Sequence, residues 1–149
     1  MILPYLIARW SAGLDAALQL PRLSLGLGNI LLGLLLIVAG FSLGFWSVET
    51  QMSLGRGTPV PVMPTQKLIV RPPFSYCRNP MTLGTLIGYS GLAVLLGSWS
   101  ALGIVWGLIA LLLLYLKLVE EKELEARFGA EYLEYKRTTP FILPRFRRR

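Results

Sequence analysis

Charged and apolar positions separate into blocks along this chain. No Asp, Glu, Lys or Arg lies between Arg22 and Glu49, and none lies between Arg78 and Lys117. The first block, residues 23–47, is rich in Leu, Ile, Val and Gly. It is long enough to cross a hydrocarbon core of about 30 Å as a helix. The second block is too long for one span of about 20 residues. Gly97-Ser98-Trp99-Ser100 near its middle reads as a turn, so the pattern predicts a helical hairpin within residues 79–118, with arms at 81–96 and 101–116. Residues 1–22 are apolar overall but carry Arg9 and Asp15 between Pro4 and Pro21. An interfacial helix and a short membrane helix both fit this segment. A cleaved signal peptide fits poorly, because no basic stretch precedes the apolar run.

Two segments break the apolar pattern. Residues 48–78 contain Gly55-Arg56-Gly57-Thr58-Pro59-Val60-Pro61-Val62-Met63-Pro64, too dense in Gly and Pro for a regular helix. A short extended piece, Lys67-Leu68-Ile69-Val70, follows. Asn79-Pro80 then opens an apolar run as a helix start, with Asn79 as N-cap and Pro80 in the first helical position. In residues 119–149, Leu124, Phe128 and Tyr132 recur every fourth position with Tyr135 three further on, an apolar stripe on a helix that Gly129 weakens or breaks. The sum is an all-α integral membrane protein, one domain with three to four membrane helices. Its C-terminal hairpin is followed by an amphipathic cytoplasmic helix.

Composition agrees with a lipid environment and narrows the chemistry. Of 149 residues, 54% are hydrophobic and 15% charged, against about a quarter charged in a soluble domain. The mean hydropathy is +0.57. With no His and one Cys, a zinc finger, an internal disulfide, a His general base and a His-dependent triad are excluded. No metal site is expected. The net charge of +7 is unevenly placed. Arg56, Lys67, Arg71 and Arg78 lie in the middle segment. Lys117, Lys122, Arg127, Lys136, Arg137 and the tail Arg145, Arg147, Arg148 and Arg149 lie beyond the hairpin. The Lys/Arg bias places both segments in the cytoplasm and the 97–100 turn on the far side. The tail suits anionic lipid better than nucleic acid.

Several residues carry candidate chemistry. The helix start at Asn79-Pro80 presents free N–H groups and partial positive charge, which suit a carboxylate or a ribose oxygen. Arg78 beside it can pair with a carboxylate, or snorkel to the interface. Glu120-Glu121 follows a long Leu run at the membrane boundary, where a carboxylate is costly unless paired or functional.

The run from Leu68 to Gly84, Leu68-Ile69-Val70-Arg71-Pro72-Pro73-Phe74-Ser75-Tyr76-Cys77-Arg78-Asn79-Pro80-Met81-Thr82-Leu83-Gly84, resembles the hallmark of the isoprenylcysteine carboxyl methyltransferase and phospholipid methyltransferase superfamily. That hallmark reads roughly L-V-x-x-G-P-Y-x-x-x-R-[HN]-P-x-Y-x-G. Gly55-x-Gly57-Thr58-Pro59 matches small bacterial members. A second block, E-E-x-x-L then F-G-x-x-Y-x-x-Y and a Pro-rich end, is matched by Glu120-Glu121-Lys122-Glu123-Leu124, by Phe128-Gly129 through Tyr132 and Tyr135, and by Pro140 and Pro144. The chain departs from the pattern at Asn79, often His, at Pro72, usually Gly, and at Phe74 and Thr82, usually Tyr.

The resemblance implies an integral membrane methyltransferase that uses S-adenosylmethionine, without a Rossmann fold, on a lipidic or hydrophobic acceptor entering from the bilayer. A bacterial inner membrane is the expected location. The expected cofactor-binding residues are Leu68, Val70, Phe74, Tyr76, Arg78, Asn79, Pro80, Gly84, Glu120 and Glu121, with Arg78 and Glu121 also catalytic. Lys117, Tyr135 and Arg137 are expected at the substrate. An anionic acceptor such as an isoprenylcysteine carboxylate needs a cation to orient it, whereas a phospholipid amine needs a base such as Glu120 or Glu121. Two other readings stay open: the related sterol-reductase-like group of NADPH-dependent membrane enzymes, which the resemblance brings in, and a non-catalytic lipid-binding membrane protein.

Overall fold

The computed structural model describes residues 2–55 and 66–144. Among them every regular element is helical and there is no strand. The helices are α1 (Ile2–Ala17), α2 (Leu27–Gly55), α3 (Pro80–Leu96), α4 (Trp99–Tyr115), α5 (Glu121–Phe128) and α6 (Ala130–Thr138). A π-turn, Leu116–Glu120, joins α4 to α5. Two stretches are long and apolar enough to cross a membrane: Leu27–Gly55, and Trp99–Phe128 through the π-turn. The intervening α3 is apolar but shorter, at 17 residues. The Gly57–Pro64 loop and the arginine tail from Arg145 lie outside the described residues.

The helix ends differ from the sequence expectation in ways the backbone explains. Helix α2 starts four residues late, at Leu27, because Gly26 holds a left-handed conformation (φ +61°). It continues past Glu49 to Gly55, since Glu49-Thr50-Gln51 contains no residue that breaks a helix. Helix α3 begins at Pro80, where the Asn79 carbonyl accepts the first helical bond from Leu83 N–H (3.0 Å). The second hairpin arm does not stop near Leu116 but runs on through the π-turn. Gly129, at φ +54°, breaks the C-terminal helix into α5 and α6.

The chain divides into two compact units. The first comprises Met1–Phe41 and Gly84–Leu112. Its centre is a glycine seam between α2 and α3. A Cβ on Gly40 would collide with the Gly88 backbone nitrogen, and one on Gly91 would come within 2.7 Å of Gly33 O and Ile37 N. Small residues let helix backbones meet this closely where lipid supplies no hydrophobic drive for association. Phe41 and Tyr89 close the seam edge to face, with centroids 5.9 Å apart.

The hairpin turn in this unit is tied by polar groups. Gly97 (φ +65°) ends α3 in a Schellman pattern, with Gly97 N–H donating to Val94 O and Ser98 N–H to Ala93 O. Ser98 Oγ caps α4 by accepting from Ala101 N–H (3.0 Å). The Asp15 carboxylate accepts from Ser98 Oγ (2.5 Å) and Ser100 N–H (3.0 Å). Asn29 Nδ2 donates to Leu23 O and Val94 O, at 2.7 and 2.8 Å. Buried backbone groups without water need such partners.

The second unit comprises Ser42–Leu83 and Leu113–Arg149. Its buried residues include Ile69, Pro73, Cys77, Glu121, Tyr132 and Tyr135. The candidate site is built here.

Candidate active site

The segment before α3 is pinned to the end of the chain by three hydrogen bonds. Arg78 N–H donates to Pro140 O (2.9 Å). The Asn79 side-chain amide donates to Phe141 O (3.0 Å). Tyr135 Oη donates to Phe74 O (2.7 Å). Burial pushes the hydroxyls of both Tyr135 and Tyr132 upward, with the Glu121 charge adding to the effect at Tyr132. Both tyrosines therefore stay protonated near neutrality; Tyr135 acts as a donor, and the Tyr132 hydroxyl oxygen lies against the Arg78 guanidinium. The Cys77 thiol is buried and also pushed upward by burial, which makes it a poor nucleophile.

The π-turn decides where Glu121 points. Glu121 N–H donates to Leu116 O, five residues back. The extra residue rotates α5 about its axis relative to an uninterrupted helix, and Glu121 enters the interior. Its carboxylate binds two cations. Oε1 accepts from Arg78 Nη1 (2.5 Å) and Oε2 faces Lys136 Nζ (3.0 Å). Lys136 also donates to Glu125 Oε1 (2.6 Å). The side chains of Arg78 and Glu121 are 11% and 7% exposed, so the pair is largely out of water. Arg78 carries its guanidinium over the Phe141 ring, 5.4 Å from the centroid. Two cations meet two carboxylates, so no net charge is buried, as the cost of desolvating single ions demands.

One donor in this network is unmet. Among the described residues, Arg78 Nε is buried with no hydrogen-bond partner. A buried unsatisfied donor costs about 1–3 kcal/mol and calls for an explanation such as a ligand. An anionic oxygen placed there would complete the guanidinium.

The structure gathers some of the expected residues and not others. Arg78 and Glu121 form one ion pair, where the sequence reading gave them separate tasks. Asn79 joins them through Phe141, and Phe74 joins Tyr135. Pro80 is buried at the helix start, Leu68 and Tyr76 are half-buried and Val70 is exposed. Glu120 is half-buried, and among the described residues no ion pair reaches it. Lys117 is exposed on the π-turn, and Arg137 is exposed and paired with Glu134 at 2.9 Å. Gly84 belongs to the first unit, where its carbonyl lies against Gly40. Sequence reasoning missed Lys136, Tyr132 as a neighbour of the ion pair, and Phe141. Spacing gave no signal for Lys136, because the four-residue rule that pairs side chains on a helix fails across the break at Gly129.

A sequence model of the family described as phospholipid methyltransferase matches residues 29–131, well over half of the 149 residues. Arg78, Asn79, Pro80, Glu120 and Glu121 fall inside the matched range, and Tyr135, Lys136 and Phe141 lie beyond it. No curated protein matches, and no solved structure matches.

Proposed function

Because the chain belongs to the phospholipid methyltransferase family, a family of membrane methyltransferases, we propose that it transfers a methyl group from S-adenosylmethionine to a lipidic acceptor within the bilayer. The acceptor is an isoprenylcysteine-type carboxylate or a phospholipid amine. The site faces the cytoplasm, on the side marked by the Lys/Arg bias.

The observation that carries this reading is the buried Arg78–Glu121 pair with its uncommitted Nε. The residues fit the cofactor. S-adenosylmethionine presents a carboxylate, an amino group and a sulfonium, and the site offers an unmet guanidinium donor beside a fixed carboxylate. The cofactor supplies a methyl group already activated on sulfur, so the reaction needs positioning more than acid or base. Arg78 would hold an anionic oxygen through Nε. Glu121 is a fixed negative charge with both oxygens committed to cations. The bonds from the 78–79 backbone and side chains to Pro140 and Phe141 hold the loop in place. Phe141 shields one face of the guanidinium from water. A chain without His suits this chemistry: a carboxylate acceptor needs no base, and an amine acceptor would give its proton to Glu120, which is half-buried and outside the ion pairs of the described residues.

Incubation of the purified protein with membrane lipid extract and methyl-labelled S-adenosylmethionine tests the reading. Label should pass into the organic phase. Alkali-labile label marks a methyl ester, and alkali-stable label marks an N-methylated lipid. No transfer to any lipid class, with folded protein, contradicts the proposal.

A further inference from the structure

The proposed function leaves Lys136 without a task, although it is the second cation on Glu121. It reaches Glu121 Oε2 (3.0 Å) and Glu125 Oε1 (2.6 Å) from α6, across the Gly129 break. It is 38% exposed on its side chain, whereas the carboxylate it holds is 7% exposed. Its hydrogen bonds to Glu125 and then Glu121 push its ammonium upward, so it stays charged at neutral pH. Glu121 meets Arg78 through one oxygen and one terminal nitrogen. Carboxylates prefer to meet a guanidinium with both oxygens, in parallel bonds. Here the second oxygen is held by Lys136, and among the described residues Arg78 Nε is buried without a partner.

We infer that Lys136 is a positioning residue: by holding Glu121 Oε2 it keeps the carboxylate on a single nitrogen of Arg78 and leaves Nε free for the carboxylate of the methyl donor's amino-acid end. The Nε–H shares its edge of the guanidinium with Nη2 and not with Nη1, so without the lysine charge Glu121 is free to move from Nη1 to the Nε–Nη2 edge, bind it with both oxygens and close the place the ligand would take. This rests on the reading of the chain as an S-adenosylmethionine enzyme. A second consequence separates the role from simple stapling of α6 to α5. Glu125 belongs to the staple alone, so its loss leaves the Lys136–Glu121 bond and the free Nε intact.

Calorimetric binding of two ligands to the full chain in detergent tests this. S-adenosylhomocysteine carries the carboxylate, and methylthioadenosine lacks the amino-acid end. Lys136→Met should weaken S-adenosylhomocysteine binding by about tenfold, the loss of one charge-assisted hydrogen bond, and leave methylthioadenosine binding unchanged. Lys136→Arg should restore binding, and Glu125→Gln should bind both ligands as the wild type does. The inference is overturned if Lys136→Met binds S-adenosylhomocysteine normally. Equal losses for both ligands, or a Glu125→Gln loss equal to that of Lys136→Met, would show a staple and overturn it too. If the wild type binds neither ligand, the S-adenosylmethionine reading falls and takes the inference with it. If the wild type binds and Lys136→Met is indifferent, the inference alone falls.

Discussion

At the scale of single residues, the account turns on one ion pair. Breaking a buried pair from one side leaves a charge out of water, at a cost of about 3–5 kcal/mol, whereas replacing both partners by apolar or neutral groups is far milder. Arg78→Met and Glu121→Gln should therefore each lower the melting temperature in detergent, and the double variant should recover much of that loss. Methyl transfer should remain absent in the double variant. A double variant as active as wild type would show that the pair holds the fold and does no more. The two residues were legible in the sequence as chemistry out of place: a carboxylate at a membrane boundary and an arginine beside a helix start. Their partnership was not, because 43 positions separate them and no local spacing rule connects them. Phe141 was less legible still, since it contributes its ring and its backbone carbonyl, and any residue has the latter.

At the scale of elements, the π-turn is the device that aims Glu121. Adding one residue to a helix turns everything beyond it by about 100°. Insertion of one alanine after Leu118, whose side chain is exposed, adds a residue that the π-turn, already holding one, does not absorb, and should swing Glu121 away from Arg78. Methyl transfer should fall by at least the effect of Glu121→Gln while helical content by circular dichroism holds. Retained activity would mean that α5 reaches the site by another path. Hydropathy showed the helices of the first unit well, because lipid demands long apolar runs and the 97–100 turn interrupts one of them. It could not show the π-turn, which arises from hydrogen-bond register and leaves no mark in composition. Nor could it place the end of α2, since Glu49 reads as a boundary to hydropathy but not to a helix. The glycines at 33, 40, 88 and 91 read only as apolar content, and their backbone contact emerged with the structure.

At the scale of the whole molecule, the charge arithmetic becomes a statement about sidedness. Thirteen of the 15 Lys and Arg residues lie on the middle loop or beyond the hairpin and the 97–100 turn has none, while Arg9 and Arg22 lie on the N-terminal segment that bonds to that turn. Trp99 beside that turn is 47% exposed. In a Cys77→Ser background, Trp99→Cys should react with a membrane-impermeant thiol reagent from the non-cytoplasmic side alone. Reaction only from the cytoplasm would reverse the orientation and with it the face on which the cofactor is proposed to bind. Family membership fixes a membrane methyltransferase in general, and the choice of methyl donor is the claim on which the mechanism depends. Calorimetric titration of the detergent-solubilised wild-type chain with S-adenosylhomocysteine, and in parallel with NADPH, tests that claim most directly. The account predicts saturable binding of S-adenosylhomocysteine and none of NADPH. Folded protein that ignores S-adenosylhomocysteine, or that binds NADPH in its place, would contradict it.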